Sequence, residues 1–166
     1  IRALALAQAP AHLVVVGRDR HRRRFQRQAA RHGLAQRVHF VGGQADVRDW
    51  YWMADALIHP ALYEAFGLIV PEAMAAGLPV IASQRCGAAL SLVTEGENGY
   101  LADALDAPAF ARAIDALADA EHRAVLGAAA ARRAGNNDLG IMRKRFARLL
   151  DELIGSDGSV PADIHD

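Results

Sequence analysis

With Cys86 as its single cysteine, the chain cannot form an internal disulfide. One unpaired thiol suits a reducing compartment better than a secreted scaffold, so the expected location is the cytoplasm. Net charge is lacking too: Lys+Arg and Asp+Glu both number 19, which leaves no overall field for nucleic acid or an anionic membrane as the main partner. No apolar run approaches the roughly 18 to 20 residues of a membrane span. The opening Ile1-Arg2-Ala3 shows neither a methionine nor a signal-peptide pattern, and is expected to be a cut within a longer chain. The seven histidines fall in no HxxxH or Cys/His spacing, so no metal site is expected. Gly17-Arg18-Asp19 does not continue as GxGxxG, which disfavours a dehydrogenase. Eighteen of the 19 basic residues are arginine, a bias assigned to genome composition before any binding role.

What is present is enough apolar sequence for one core, at 52% hydrophobic over 166 residues. His12 to Val16 is a short β-branched run closed by Gly17, expected as a buried parallel strand. A helix is expected over 20–33, capped by Gly33, then a strand at Val38 to Val41 ended by Gly42-Gly43. A short helix over 46–54, carrying Trp50 and Met53, leads to a third strand at Ala56 to Ile58. Leu68 to Ala76 suits a helix stopped by Gly77, Pro79 to Ala82 a fourth strand and Tyr100-Leu101 a fifth. Asp106 with Pro108 starts a helix whose Phe110, Ile114 and Leu117 share one face, and a further helix reaches about Arg133. A last helix is expected to align Met142, Phe146, Leu149, Leu150 and Leu153, giving a domain over 1–154 and a mobile tail over 155–166.

Short strands alternating with helices indicate an α/β fold, a Rossmann-like three-layer parallel sheet wound by right-handed crossovers. Ligands bind such sheets beyond the carboxyl ends of the strands. That rule selects the loops at Gly17, Gly42-Gly43, His59 to Gly67 and Ser83 to Ala88. Within them, the stretch from His59 to Ala82 places a loop ahead of a helix, and Gly67 lets a ligand approach the backbone. The unpaired N–H groups near residues 67 to 70 are suited to a phosphate, and Pro71 is tolerated in that first turn. Glu64 and Glu72 flank the turn with seven residues between them, so one carboxylate can accept sugar hydroxyls and the other ribose hydroxyls of a diphosphate lying across it. Taken singly, Glu64 reads as a solvated loop charge and Glu72 as an acid complementing the helix dipole.

As a whole the stretch resembles the E-x7-E signature of the large retaining glycosyltransferase family with two Rossmann-like domains, the GT-B architecture. The resemblance extends upstream to Val14-Val15-Val16-Gly17 and Val38-His39-Phe40-Val41-Gly42, and downstream through Gly77 to Ser83 and Glu97-Asn98-Gly99-Tyr100-Leu101. It implies that this is the C-terminal, donor-binding half of such an enzyme. Glu64 would contact the donor sugar as the catalytic assignment and Glu72 the ribose, with the Phe66, Gly67, Leu68 and Ile69 backbone on the diphosphate. It also implies no cofactor, the nucleotide sugar being a substrate, and a partner N-terminal domain that holds the acceptor. An Arg and a Lys that the family places before the first helix of this domain have no matching pair here, and are expected to be cut away. His59-Pro60-Ala61 and Arg85-Cys86-Gly87 further resemble the subgroup acting on bacterial lipopolysaccharide core, whose donors are often UDP-hexoses.

Two other readings stay open: a sugar-nucleotide epimerase of the same architecture, using carboxylates here as acid and base, and a non-catalytic interaction module. Cys86 is assigned to packing, and His59, directly after a strand, to structural hydrogen bonding as readily as to a donor contact. The run Arg18, Arg20, Arg22, Arg23, Arg24, Arg27 and Arg31 reads first as a solvated helix face, because aromatics do not interleave it, and second as a peripheral contact with an anionic membrane.

Overall fold

The structure is a computed structural model that describes residues 1–18, 20–136 and Arg148. Its elements run α1 (Arg2–Leu6), β1 (Leu13–Val16), α2 (Arg22–Arg31), β2 (Val38–Gly42), α3 (Arg48–Trp52) and β3 (Leu57–His59). They continue with α4 (Ile69–Ala75), β4 (Val80–Ser83), α5 (Gly87–Leu92), β5 (Gly99–Ala102), α6 (Ala107–Ala116) and α7 (Ala120–Gly135). Each expected strand forms, and each strand pairing is parallel. Hydrogen bonding among the described residues divides the strands into two ladders, β1-β2 and β3-β4-β5. The expected helix through Met142 to Leu153 and the 154/155 boundary lie outside the described residues.

β4 shows why the fold is three-layered. Flanked by β3 and β5, it is buried at all four residues. Val80 and Ala82 face one apolar cluster with Val70, Met74, Ala89 and Leu92, while Ile81 faces another with Phe110, Ala113, Leu117 and Leu126. The period-two alternation of a strand thus feeds both covering layers. α6 and α7 begin as their sequences dictate: Asp106 accepts the Ala109 amide at 2.9 Å and Asp119 the His122 amide at 2.7 Å. Asp115, on α6, accepts the amides of Gln8 and Ala9, both at 2.8 Å, and so ties the segment after α1 to the layer over β4.

The first strand corrects one expectation. β1 is not buried on both faces: Leu13 and Val15 pack with Leu4, Ala29, Leu34 and Val38, but Val14 and Val16 are 38% and 37% exposed. α1 and α2 supply apolar side chains to one face of the β1-β2 ladder, and among the described residues no apolar cluster covers the other. Its outer face carries His39 instead, whose ring stacks on that of His12 with a 3.0 Å contact from His12 Nδ1 to His39 Nε2. α5 was not expected. It buries Ala88, Ala89 and Leu92, and it turns the second half of the expected Ser83–Ala88 loop into a helix start.

Candidate functional site

β3 ends at His59, and the chain then crosses the carboxyl edge of the sheet to reach α4. This crossing is pinned to the β4-α5 turn. The Glu64 amide donates to the Arg85 carbonyl at 3.0 Å, the Gly87 amide to the Glu64 carbonyl at 3.1 Å and the Ala88 amide to the Phe66 carbonyl at 2.7 Å. Glu64 and Cys86 thereby form an isolated parallel bridge. A Cβ on Gly87 would run into the Ala65 carbonyl oxygen, so only glycine permits this approach. Cys86 is fully buried, its thiol donating to the Phe66 carbonyl at 3.2 Å, in keeping with a packing role.

Beyond Phe66 the backbone pairing stops. Gly67 takes a φ of +88°, and the next intramolecular bonds are the Val70 amide to the Gly67 carbonyl at 3.0 Å and the Glu72 amide to the Leu68 carbonyl at 3.2 Å. Among the described residues the amides of Gly67, Leu68 and Ile69 have no hydrogen-bond acceptor. Leu68, the N-cap residue of α4, has no side chain able to supply one. Three consecutive donors are therefore left open between Glu64 and Glu72. The Phe66 amide is engaged, donating to Glu64 Oε1 at 3.3 Å.

Glu72 is exposed on the first turn of α4 and accepts the Tyr51 hydroxyl at 2.9 Å. Tyr51 carried no assignment in the sequence. It is 21 residues away on another helix, and no local spacing links the two. Burial, followed by the Glu72 hydrogen bond and charge, pushes the Tyr51 phenol above its ordinary pKa.

His59 lies close to the same loop at Gly67. Its Nε2 is buried without a hydrogen-bond partner, and a Cβ on Gly67 would lie 3.7 Å from it. Of the two readings open for His59, structural hydrogen bonding is not met at Nε2. Burial lowers its pKa and the Glu64 charge acts in the opposite sense, so the ring is neutral near pH 7. Gly17 occupies the carboxyl end of β1, where its amide donates to the Gly42 carbonyl at 2.8 Å; its bond is with β2, whereas the Glu64–Glu72 loop is bound to the β4-α5 turn. Among the described residues no group of three His, Cys, Asp or Glu side chains is arranged to hold a metal ion.

Parallel α/β domains take their ligands beyond the carboxyl edge of the sheet, and here that edge presents open amides between two carboxylates. Residues 1–133 match the model of the family "Glycosyl transferases group 1". The lipopolysaccharide core biosynthesis mannosyltransferase LpsB of Rhizobium meliloti is 40% identical over 125 residues, 74% of this chain and 33% of that protein. The lipopolysaccharide glucosyltransferase WaaG of Escherichia coli is 44% identical over 75 residues, 45% of this chain and 20% of that one. The crystal structure of Anabaena HepE in complex with UDP superposes with a TM-score of 0.79 at 28% identity, covering 91% of this chain and 43% of that one. The chain belongs to the glycosyl transferases group 1 family, and its fold is the Rossmann-like α/β fold of GT-B glycosyltransferases. It spans about a fifth to a third of the length of these two curated relatives.

Proposed function

We propose that this chain is the donor-binding domain of a retaining glycosyltransferase that takes a UDP-hexose and transfers the hexose to an acceptor held by an N-terminal domain, in lipopolysaccharide or another cell-envelope polysaccharide. The observation carrying this reading is the row of open amides at Gly67, Leu68 and Ile69 between Glu64 and Glu72. A diphosphate set on those amides would direct its sugar toward Glu64 and its ribose toward Glu72. In the transfer, the bond from the anomeric carbon to the β-phosphate oxygen breaks and a bond to the acceptor oxygen forms on the same face. The acceptor's proton passes to the departing phosphate. The domain contributes positioning, and donors aimed at the charge that develops on that phosphate.

Two substitutions in the complete protein test the assignment by titration calorimetry. Glu72→Ala is expected to weaken UDP and UDP-glucose alike, and Glu64→Ala to weaken UDP-glucose far more than UDP. Each loss should be about 1.5 to 3 kcal/mol, the contribution of a hydrogen bond to a charged group. Equal losses for both ligands in both variants would overturn it.

The proposal includes a peripheral contact with anionic membrane through α2. No described helix is long and apolar enough to cross a membrane. Residues 20–45 hold no Asp or Glu, and Arg22, Arg23, Arg24, Arg27 and Arg31 are all exposed on α2. Arg24, Gln28, Arg31 and His32 line a hollow together with Arg2 of α1, so two helices present one basic surface. Each arginine near an anionic surface is worth about 1 kcal/mol, so exchanging Arg24, Arg27 and Arg31 for Glu should cut binding to phosphatidylglycerol vesicles by two orders of magnitude or more. Co-sedimentation unchanged by the triple substitution would place the contact elsewhere.

A further inference from the structure

Tyr51 stands on α3, a helix with no assigned chemistry, yet its hydroxyl reaches across to Glu72 Oε2 at 2.9 Å. Its ring packs against the cluster that contains Val70, Ala73 and Met74 of α4. The donor is therefore restrained: a tyrosine with two side-chain torsions, its ring partly buried against the core. The acceptor is not rigid by itself, since Glu72 is exposed and has three torsions to fix. We propose that Tyr51 is a positioning residue, which holds the Glu72 carboxylate in the orientation that accepts the ribose hydroxyls of the donor nucleotide.

The role rests on the reading of Glu72 as the ribose acceptor. A carboxylate has about four lone-pair sites, so one bond from Tyr51 leaves room for two vicinal hydroxyls. Holding the carboxylate beforehand removes part of the ordering cost that binding would otherwise carry. Because its pKa is raised, the phenol remains an O–H donor across the working pH range. A purely structural alternative is that the bond braces α3 against α4. That alternative predicts no dependence on the ligand's ribose.

Calorimetry on the complete protein separates the two with UDP and 2′,3′-dideoxy-UDP, using the wild type, Tyr51→Phe and Glu72→Ala. Tyr51→Phe retains the packed ring and removes only the hydroxyl. It is expected to weaken UDP about five- to tenfold while leaving 2′,3′-dideoxy-UDP within about twofold, the size of one net hydrogen bond felt only through the ribose. In turnover with UDP-glucose the same variant should raise the donor KM and leave kcat. Equal weakening of both nucleotides by Tyr51→Phe, or of neither, overturns the role. A preference for UDP that survives Glu72→Ala overturns the ribose assignment, and this role with it. A preference that Glu72→Ala removes and Tyr51→Phe leaves intact overturns the role of Tyr51 alone.

Discussion

Gly67→Ala is expected to lower UDP-glucose affinity in the complete protein by about a hundredfold and to lower its thermal midpoint. Two costs add. A φ of +88° strains an L residue by roughly 1 to 2 kcal/mol. The new Cβ would also lie 2.6 Å from Cys86 Sγ and 3.0 Å from Glu64 Cγ, an overpacking of about 1 to 3 kcal/mol. Cys86 cannot retreat, being fully buried and bonded to the Phe66 carbonyl, so the loop bearing Glu64 must shift instead. Gly96→Ala serves as the control: its φ is +72° and nothing lies within 4 Å of its Cβ, so it carries the strain without the collision. Cys86→Ala in the Gly67→Ala background removes the nearest atom and should restore part of the affinity. Wild-type binding by Gly67→Ala would show that the Glu64–Glu72 loop is not the donor site.

The loop was legible in the sequence because its chemistry is local. Seven residues between Glu64 and Glu72, a glycine ahead of a helix and a proline in its first turn are all read along one segment. The strands were legible for a similar reason, since short β-branched runs ended by glycine carry their own signal. α5 was not, because six residues of mostly small side chains show no usable period. The bridge between Glu64 and Cys86 and the bond between Tyr51 and Glu72 were also out of reach. Each joins residues about twenty apart on separate elements, and only the packing of α3, α4 and the β4-α5 turn brings them together. The exposed face of β1 belongs to the same class. A Val-Val-Val run reads as buried on both sides, while actual burial depends on whether a helix layer arrives to cover each face. The fold of each element is thus largely a local matter here, and the finish of the site is a tertiary one.

Residues 1–166, prepared as an isolated chain, are expected to bind UDP weakly and to transfer no sugar. The open amides and both glutamates lie within the chain, so a UDP affinity in the millimolar to high-micromolar range follows, on the order of 4 to 6 kcal/mol. Transfer should fail altogether. Catalysis by positioning needs donor and acceptor held together, which is worth roughly 7 to 11 kcal/mol of the barrier. In the proposed function the acceptor belongs to a domain beyond these residues, in line with the chain covering 43% of the HepE structure that it resembles. Two measurements on the same preparation check this: NMR titration of UDP-sugars into the isolated chain, and radiolabelled transfer from UDP-glucose to a bacterial envelope extract. Saturable UDP binding without transfer is the expected pair of results. Transfer by the isolated chain would overturn the two-domain proposal, and would require an acceptor site built from residues that carry no assignment here.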